Sequence, residues 1–166
     1  MKTDKKIIKY KDLSKLRAKS TKEGKTIVFT SGCYDILHLG HVMHFNYCKQ
    51  QGDILVVTVG NDETIHLLKG PTRPINDQSF RSRLLAALEL VDYVVVSEEV
   101  GKMDHSKSME LLRPDKYILN STDSAVAEKK ALTDKCGTEL VLCKRLPPGH
   151  KKGGISSSGI EKQLKS

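Results

Sequence analysis

The chain has 166 residues, of which 38% are hydrophobic, and a formal net charge of +8. This length and apolar content favour one domain with a buried core and argue against a disordered chain. The longest apolar runs are strand-sized and no signal-peptide pattern is visible, so we expect a cytoplasmic protein with no membrane partner.

The positive charge lies at the two ends of the chain. Residues 1–25 contain ten Lys or Arg against three acidic residues, residues 144–166 contain six against one, and residues 26–143 contain twelve against sixteen. A nucleic-acid site would need a basic face with interleaved aromatic residues or a recognisable fold, and neither pattern is present. The sequence therefore predicts solvated basic ends and no nucleic-acid partner, although anion capture by some of these lysines stays open.

The four cysteines, at positions 33, 48, 136 and 143, are not spaced as pairs. Without a CxxC pattern, neither a disulfide framework nor a structural zinc site is indicated. We therefore expect reduced thiols.

Hydrophobic periodicity divides the chain into alternating strands and helices. Residues 1–25 are expected to form a basic N-terminal arm or helix, and residues 26–166 to form the domain. The expected strands are 26–31, 54–59, 92–97, 116–120 and 138–143. The expected helices are 41–51, 61–68, 78–90, 105–112, 123–135 and 157–165. This alternation predicts an α/β domain with a doubly wound, Rossmann-like parallel sheet and helices on both faces.

The helix expected at 78–90 is unusually rich in large aliphatic residues. Its buried stripe is expected to consist of Phe80, Leu84, Leu88 and Val91, with Arg81 and Arg83 lying off it. The region from residue 75 to residue 90 holds more large aliphatics than one buried stripe needs. We therefore expect the extra apolar face to support a homodimer.

The stretch from Gly32 to His41 follows a buried strand and leads into a helix, with His38 and His41 three residues apart. In an open parallel sheet, ligands bind beyond the carboxyl ends of the strands, where a helix N-terminus offers free N–H groups to phosphate. Gly32 and Gly40 allow backbone to approach an anion closely, and both histidines can donate hydrogen bonds to it. The pattern predicts a turn that binds a triphosphate.

This stretch resembles the HxGH signature of the cytidylyltransferase-like nucleotidyltransferases. Residues 69–76, Arg81 and residues 84–92 resemble the heptose 1-phosphate adenylyltransferase (ADP-heptose synthase) branch of that family. Residues 155–160 are similar to the family's late Ser-Thr-Thr motif. The resemblance covers about residues 26–165, which is nearly a whole domain of usual size.

The resemblance implies transfer of a nucleoside monophosphate from a nucleoside triphosphate, ATP in preference, to a sugar phosphate such as a heptose 1-phosphate. Pyrophosphate would leave without a covalent intermediate, so that positioning and charge neutralisation dominate catalysis. His38 and His41 would stabilise the transition state, and Arg81, unless it lies on a solvated helix face, would clamp phosphate. Mg²⁺ would be held mainly by the triphosphate oxygens.

The binding residues follow from the same resemblance. The nucleotide-binding set is Thr30, Gly32, Cys33, Tyr34, Gly40, Asp62, Lys69, Asn120, Ser156, Ser157 and Ser158. The substrate-binding set is Asp35 and Arg73. Asp35 could instead order the histidine turn, Asp62 could cap a helix, and the three serines could form an ordinary helix N-cap.

Two stretches depart from the family's usual sequences and leave both the nucleotide and the acceptor open. Residues 120–123 read Asn-Ser-Thr-Asp where the heptose branch usually has Lys-Gly-Gly-Asp. Residues 151–154 read Lys-Lys-Gly-Gly where glycerol 3-phosphate cytidylyltransferases carry Arg-Thr-Glu-Gly. A CTP-dependent enzyme that acts on glycerol 3-phosphate or another polyol phosphate therefore remains an alternative.

Other classes of function are weaker. His38, His41, His44 and Cys48 have a spacing that could bind zinc, but the turn contains a glycine and lacks a nearby carboxylate. The triplet Gly24-Lys25-Thr26 precedes its strand and lacks the earlier glycine, so it is not a P-loop. A nucleotide sensor without catalytic activity on the same fold stays open.

Overall fold

The computed structural model describes residues 2–144, in which six strands and six α-helices follow a short 3₁₀-helix at Lys2–Lys6. The strands are β1 (Ile7–Ile8), β2 (Ile27–Gly32), β3 (Ile54–Val59), β4 (Tyr93–Val96), β5 (Lys116–Asn120) and β6 (Glu139–Cys143). The helices are α1 (Tyr10–Lys22), α2 (Leu39–Lys49), α3 (Asp62–Lys69), α4 (Gln78–Ala87), α5 (Ser106–Leu112) and α6 (Val126–Cys136). The expected helix at 157–165, with the serines at 156–158, lies outside the described residues.

The six strands form one sheet in the order β1-β4-β3-β2-β5-β6, and every neighbouring pair is parallel. From β2 the chain proceeds outward to β3 on one side and later returns to place β5 on the other. The carboxyl ends of β2 and β5 therefore flank the topological switch point, where ligands bind in doubly wound folds. The predicted fold class is confirmed.

Helices cover both faces of the sheet because successive strand residues point to opposite sides. Val28 packs in one core cluster with Phe45 of α2 and Leu85 of α4. Its neighbour Phe29 packs in the other cluster with Leu13 of α1 and Met109 of α5. All of these side chains are fully buried, so that the sheet is held between two apolar layers.

The first 25 residues, expected to form an arm or a helix, contain the helix α1 and are packed onto the sheet and its helical layer. β1 pairs in parallel with β4, and Leu13 of α1 is buried against α5. Lys6 donates to the carbonyls of Leu88 and Val91 at 3.0 and 2.7 Å. These polar contacts and the apolar face of α1 join the segment to the sheet that residues 26–144 contribute to.

Helix α4 is rotated relative to the expectation from periodicity. Phe80 is 52% exposed and Leu84 is 37% exposed, whereas Arg81 is fully buried. The inward positions are instead occupied by Arg81, Ser82, Leu85 and Ala86. The expected buried stripe is therefore wrong for Phe80 and Leu84, because Arg81 finds polar partners inside and takes the place of an apolar residue.

Candidate active site

The two histidines of the motif form a stacked pair at the start of α2. His38 is the N-cap residue, with extended backbone, and its carbonyl accepts a hydrogen bond of 2.9 Å from the N–H of His41. The ring centroids lie 3.8 Å apart at an interplanar angle of 20°. Apart from those that donate to the His38 carbonyl, the first N–H groups of α2 have no acceptor within the helix, so both imidazoles stand beside a natural anion site that includes Gly40.

Tyr34 fixes the turn that leads to the histidines. Its backbone is left-handed, with φ of 52°, and its ring is buried against Phe45. The same ring meets His41 edge-on at 5.2 Å. A Cβ added to Gly32 would lie 2.9 Å from Cζ of Tyr34, so only glycine fits there. Tyr34 therefore supports the predicted nucleotide site from inside the protein.

Thr30 and His44 form an internal pair beneath the turn. The Thr30 hydroxyl donates to the Ile118 carbonyl at 3.0 Å, so Nε2 of His44, 3.0 Å away, must be the donor to Thr30. Nδ1 of His44 then accepts from the Cys143 thiol at 3.4 Å. Burial lowers the pKa of His44 to about 4, which keeps the ring neutral.

The hydrogen bonds of His44 bear on the alternative of a zinc site formed by the three histidines and Cys48. His44 uses its two ring nitrogens within the core, and its Nε2 is also 3.5 Å from the Cys48 sulfur. Within residues 2–144 no group of three His, Cys, Asp or Glu side chains is arranged to hold a metal ion. The His38–His41 pair is thus separate in role from His44 and Cys48.

Asp35 and Arg73 form a buried ion pair. The Arg73 guanidinium lies 2.5 Å from Oδ2 of Asp35, and Oδ1 accepts from the backbone N–H of Ile75 and Asn76 at 2.8 and 3.0 Å. Burial alone would raise the pKa of Asp35, but these N–H groups and Arg73 together hold that pKa below its usual value. Asp35 thus orders the loop at residues 73–76 beside the histidine turn, and the Arg73 guanidinium is paired with this carboxylate.

Arg81 links three segments around the turn. Its Nε donates to the Asn76 carbonyl at 2.9 Å, one terminal nitrogen donates to the Cys33 carbonyl at 2.6 Å, and the other reaches Asp62 at 2.7 Å. The side chain is fully buried, which excludes the solvated helix face. In this arrangement all three guanidinium nitrogens bond to protein oxygens, which joins the Cys33 turn to Asp62 and to the Asn76 carbonyl.

Two charged residues, Asp62 and Lys69, flank the turn that contains Cys33. Asn61, not Asp62, caps α3 by accepting from the Thr64 N–H at 2.8 Å, so that the 40% exposed Asp62 carboxylate remains accessible to a substrate. Burial raises the pKa of the Cys33 thiol, which the nearby Lys69 and Arg81 charges partly oppose. Lys69 itself is exposed at the end of α3.

Asn120 ends β5, across the switch point from Gly32. Its side-chain carbonyl accepts from the N–H and the hydroxyl of Thr122 at 3.1 and 2.9 Å, which closes the loop that departs from the family pattern. Asp123 then pairs with Lys129 at 2.8 Å. These contacts therefore hold the loop at residues 120–123 in one conformation beside the candidate site.

A buried chain of polar side chains that no sequence pattern predicted lies beneath the switch point. Ser31 lies 2.5 Å from the Tyr117 hydroxyl, which lies 3.0 Å from Nε2 of His105. Asp104 flanks His105 at 3.5 Å and accepts from Ser97 at 2.7 Å. Alternation in β2 and β5 places Ser31 and Tyr117 on the same face, but no local pattern identifies His105 as their partner.

Comparisons with known proteins agree with this geometry. The cytidylyltransferase-like family matches residues 29–163. The bifunctional protein HldE of a Nitratiruptor species is 58% identical over 78 residues, which are 47% of this chain and 17% of that protein. The bifunctional protein HldE of Citrifermentans bemidjiense is 40% identical over 113 residues, which are 68% of this chain and 23% of that protein. The chain thus spans about a fifth of the length of these relatives.

Two solved structures share the fold. The lipopolysaccharide core biosynthesis protein from Thermoplasma volcanium has a TM-score of 0.66 and 30% identity, covering 75% of this chain and 100% of that one. Pantoate-beta-alanine ligase from Francisella tularensis has a TM-score of 0.62, covering 96% of this chain and 76% of that one, but at 17% identity it shows the fold alone. Because the family match spans most of the sequence, including the histidine turn, the chain belongs to the cytidylyltransferase-like family and is a nucleotidyltransferase.

Proposed function

We propose that this nucleotidyltransferase transfers an adenylyl group from ATP to the phosphate of a sugar 1-phosphate such as a heptose 1-phosphate, and releases pyrophosphate. The stacked His38–His41 pair at the N-terminus of α2, beside the switch point, is the observation that carries this proposal. Support for the acceptor comes from the resemblance of residues 69–92 to the heptose branch and from the HldE relatives.

The mechanism follows from what in-line phosphoryl chemistry requires. A phosphate oxygen of the acceptor attacks the α-phosphorus, and the bond to pyrophosphate breaks without a covalent enzyme intermediate. The N–H groups at the start of α2 bind the triphosphate, and His38 and His41 donate to oxygens on which charge grows in the transition state. Arg81 holds the Cys33 turn in place for this contact.

The residues of this site fit a Mg²⁺ ion that is coordinated mainly by the triphosphate. Asp35 is buried in its pair with Arg73, and Asp62 already receives Arg81. Neither carboxylate is placed to form a full set of protein ligands, so oxygen ligands from the triphosphate suit the ion best. When bound, Mg²⁺ would neutralise charge on the leaving pyrophosphate.

A CTP-dependent enzyme for glycerol 3-phosphate or another polyol phosphate is the second candidate. It is favoured by one observation, the closed Asn120–Thr122 loop that stands where the heptose branch has Lys-Gly-Gly-Asp. Because the loop borders the switch point, a change in its sequence could alter the choice between ATP and CTP without altering the class of reaction.

Pyrophosphate release from a matrix of nucleotides and acceptors tests the proposal. The purified protein is incubated with ATP or CTP, Mg²⁺, and either a heptose 1-phosphate, glucose 1-phosphate or glycerol 3-phosphate. We expect the highest kcat/KM for ATP with the heptose 1-phosphate. Turnover only with CTP and glycerol 3-phosphate would establish the second candidate, and no release with any pair would refute transfer to these acceptors.

A homodimer formed through α4 completes the proposal. Phe80 and Leu84 are exposed and line a shallow groove of about 330 Å³ together with Ala87 and Arg83. Ile75, in the loop before α4, is 59% exposed. A second copy would remove these side chains from water by a self-complementary contact.

The cellular context is proposed from the chemistry of the reaction and from the structural relative. No helix within residues 2–144 combines the length and apolarity needed to cross a bilayer. A reaction that consumes a nucleoside triphosphate is best placed in the cytoplasm, and the structural relative named for lipopolysaccharide core biosynthesis supports a role in carbohydrate biosynthesis. The partners would be the nucleotide and the sugar phosphate, with no nucleic acid or membrane.

A further inference from the structure

A cleft of about 590 Å³ opens at the carboxyl edge of the sheet, beyond the end of β4. Its apolar lining comes from Ile7, Ile8 and Val96, at the ends of β1 and β4. Its polar lining includes exposed side chains of Lys9, Glu63 and Glu98, with the half-buried Gln78. The volume lies within the roughly 300–1,000 Å³ range of small-molecule sites. None of these residues has a part in the mechanism above.

The cleft is joined to the histidine turn by a short chain of hydrogen bonds. The Gln78 side chain accepts from the N–H of Asp62 at 3.1 Å. Asp62 in turn binds Arg81 at 2.7 Å, and Arg81 binds the Cys33 carbonyl at 2.6 Å. Asp62 therefore lies between the histidine turn and the cleft, joined to Gln78 through its N–H and to Arg81 through its carboxylate.

The distance fits a long acceptor and not a short one. β4 is two strands from β2, and strands lie about 4.8 Å apart, so the cleft begins about 10 Å from the end of β2. A heptose 1-phosphate is a cyclic pyranosyl phosphate, and its exocyclic C6 and C7 extend about 8 Å from the phosphorus, so that their hydroxyl groups come within hydrogen-bond reach of the cleft. A three-carbon polyol phosphate extends only about 5–6 Å from its phosphorus and does not reach the cleft.

The lining distinguishes hydroxyl groups from phosphate. Carboxylates accept hydrogen bonds from hydroxyl groups but repel a phosphate, and an ammonium donates to hydroxyl oxygens. Glu63 and Glu98 therefore suit the uncharged end of an acceptor, with Lys9 as an additional donor. The apolar residues offer a surface for sugar C–H groups.

We propose that this cleft binds the distal, hydroxyl-bearing part of the acceptor and thereby selects six- and seven-carbon sugar phosphates over three-carbon polyol phosphates. This inference rests on the proposed transfer to a sugar phosphate. It makes β1, together with the first residue after it, part of the substrate site.

Paired substitutions of carboxylates test the proposal. The double variant Glu63→Gln, Glu98→Gln removes both negative charges from the cleft while keeping similar size and leaving Lys9 in place. The matched control is Glu89→Gln, Glu139→Gln, which removes two carboxylates at the opposite, amino edge of the sheet. For each protein, KM is measured separately for ATP, for a heptose 1-phosphate and for glycerol 3-phosphate, with urea denaturation as a check on folding.

We expect the cleft variant to raise KM for the heptose 1-phosphate about tenfold or more, which corresponds to replacing two charge-assisted hydrogen bonds by neutral ones. Its KM values for ATP and glycerol 3-phosphate should match those of the control. An unchanged KM for the heptose 1-phosphate, or an equal rise for both acceptors, overturns the cleft assignment alone. Absence of pyrophosphate release by the wild-type protein with any sugar phosphate refutes the proposed function, and the cleft assignment with it.

Discussion

Arg81 donates to Asp62 at 2.7 Å from a fully buried position, whereas the Asp62 side chain is 40% exposed. The cation is thus shielded from water while the carboxylate keeps a solvent-facing edge. A buried guanidinium with three oxygen partners restrains their relative positions, because its donors form a rigid fork. From this geometry we expect Arg81 to act as a positioning residue between the histidine turn and Asp62.

Arg81→Lys is expected to lower kcat about tenfold or more, since an ammonium cannot reach all three oxygens at once. The free energy of unfolding should fall by about 2–4 kcal/mol, less than for a fully buried ion pair because Asp62 is partly exposed. Arg83→Lys, at an exposed position on the same helix, is the control. Steady-state kinetics and urea denaturation measure both effects. A variant with wild-type kcat would remove Arg81 from the positioning of the site.

His38→Ala and His41→Ala are each expected to lower kcat about 10²–10³-fold, as for loss of one preorganised donor to the transition state. Nucleotide affinity should change much less, because these donors act mainly as charge develops. The exposed His66 on α3 supplies the control variant His66→Ala. Single-turnover kinetics and nucleotide titration separate the two effects. Near wild-type turnover in either histidine variant would contradict its catalytic assignment.

Much of the fold followed from periodicity, and the exceptions have physical causes. The five strands from residue 26 onward were predicted to within two residues because β-branched runs bounded by polar turns are distinctive. β1 was missed because two isoleucines cannot reveal a strand without the partner strand β4. The buried face of α4 was predicted wrongly because a hydropathy scale treats arginine as exposed. The buried Arg81 instead exchanges its hydrogen bonds to water for hydrogen bonds to protein oxygens.

The candidate site also has features that the sequence predicts and features that it does not. The turn around His38 and His41 could be located because glycines and histidines at fixed spacing carry a chemical meaning. The partners of Asp35 and Arg73 could not be predicted, since the ion pair joins residues 38 positions apart through a loop. Whether a polar residue contacts a substrate or supports a neighbour depends on such tertiary contacts.

Gly32→Ala is expected to cost about 1–3 kcal/mol of stability, because the new methyl group would lie 2.9 Å from the Tyr34 ring. It should also weaken nucleotide binding by displacing the turn. Tyr34→Ala removes the obstructing ring but leaves a cavity. In the double variant the combined loss should therefore be smaller than the sum of the single effects, as a double-mutant cycle would show. Strict additivity would mean that the Tyr34 ring does not restrict position 32.

The double variant Phe80→Glu, Leu84→Glu is expected to dissociate the proposed homodimer. Each substitution places a charge on the exposed apolar face of α4, where association would have to desolvate it. Sedimentation velocity at micromolar concentration should give a dimer for the wild type and a monomer for the variant. Val100→Glu, at another exposed apolar residue, should leave the mass unchanged. A wild-type monomer, or a dimeric variant, would refute assembly through α4.

His44 should make stability fall as the solution is acidified. Burial lowers its pKa in the folded state to about 4, whereas an unfolded histidine titrates near 6.5. Between these values the unfolded chain binds more protons, so the free energy of unfolding decreases as pH falls through this window. From about pH 7.5 to about pH 4.5 the loss due to His44 should be about 2–3 kcal/mol.

His44→Gln tests this origin because its amide can still donate to the Thr30 hydroxyl but does not titrate. The variant should be less stable than wild type at about pH 7.5, and this difference should shrink or reverse at about pH 4.5. His66→Gln, at an exposed position, should retain the wild-type pH dependence. Urea denaturation at both pH values gives the four free energies for each comparison. If the difference between wild type and His44→Gln is the same at both pH values, the buried His44 ring is not the group whose protonation opposes folding.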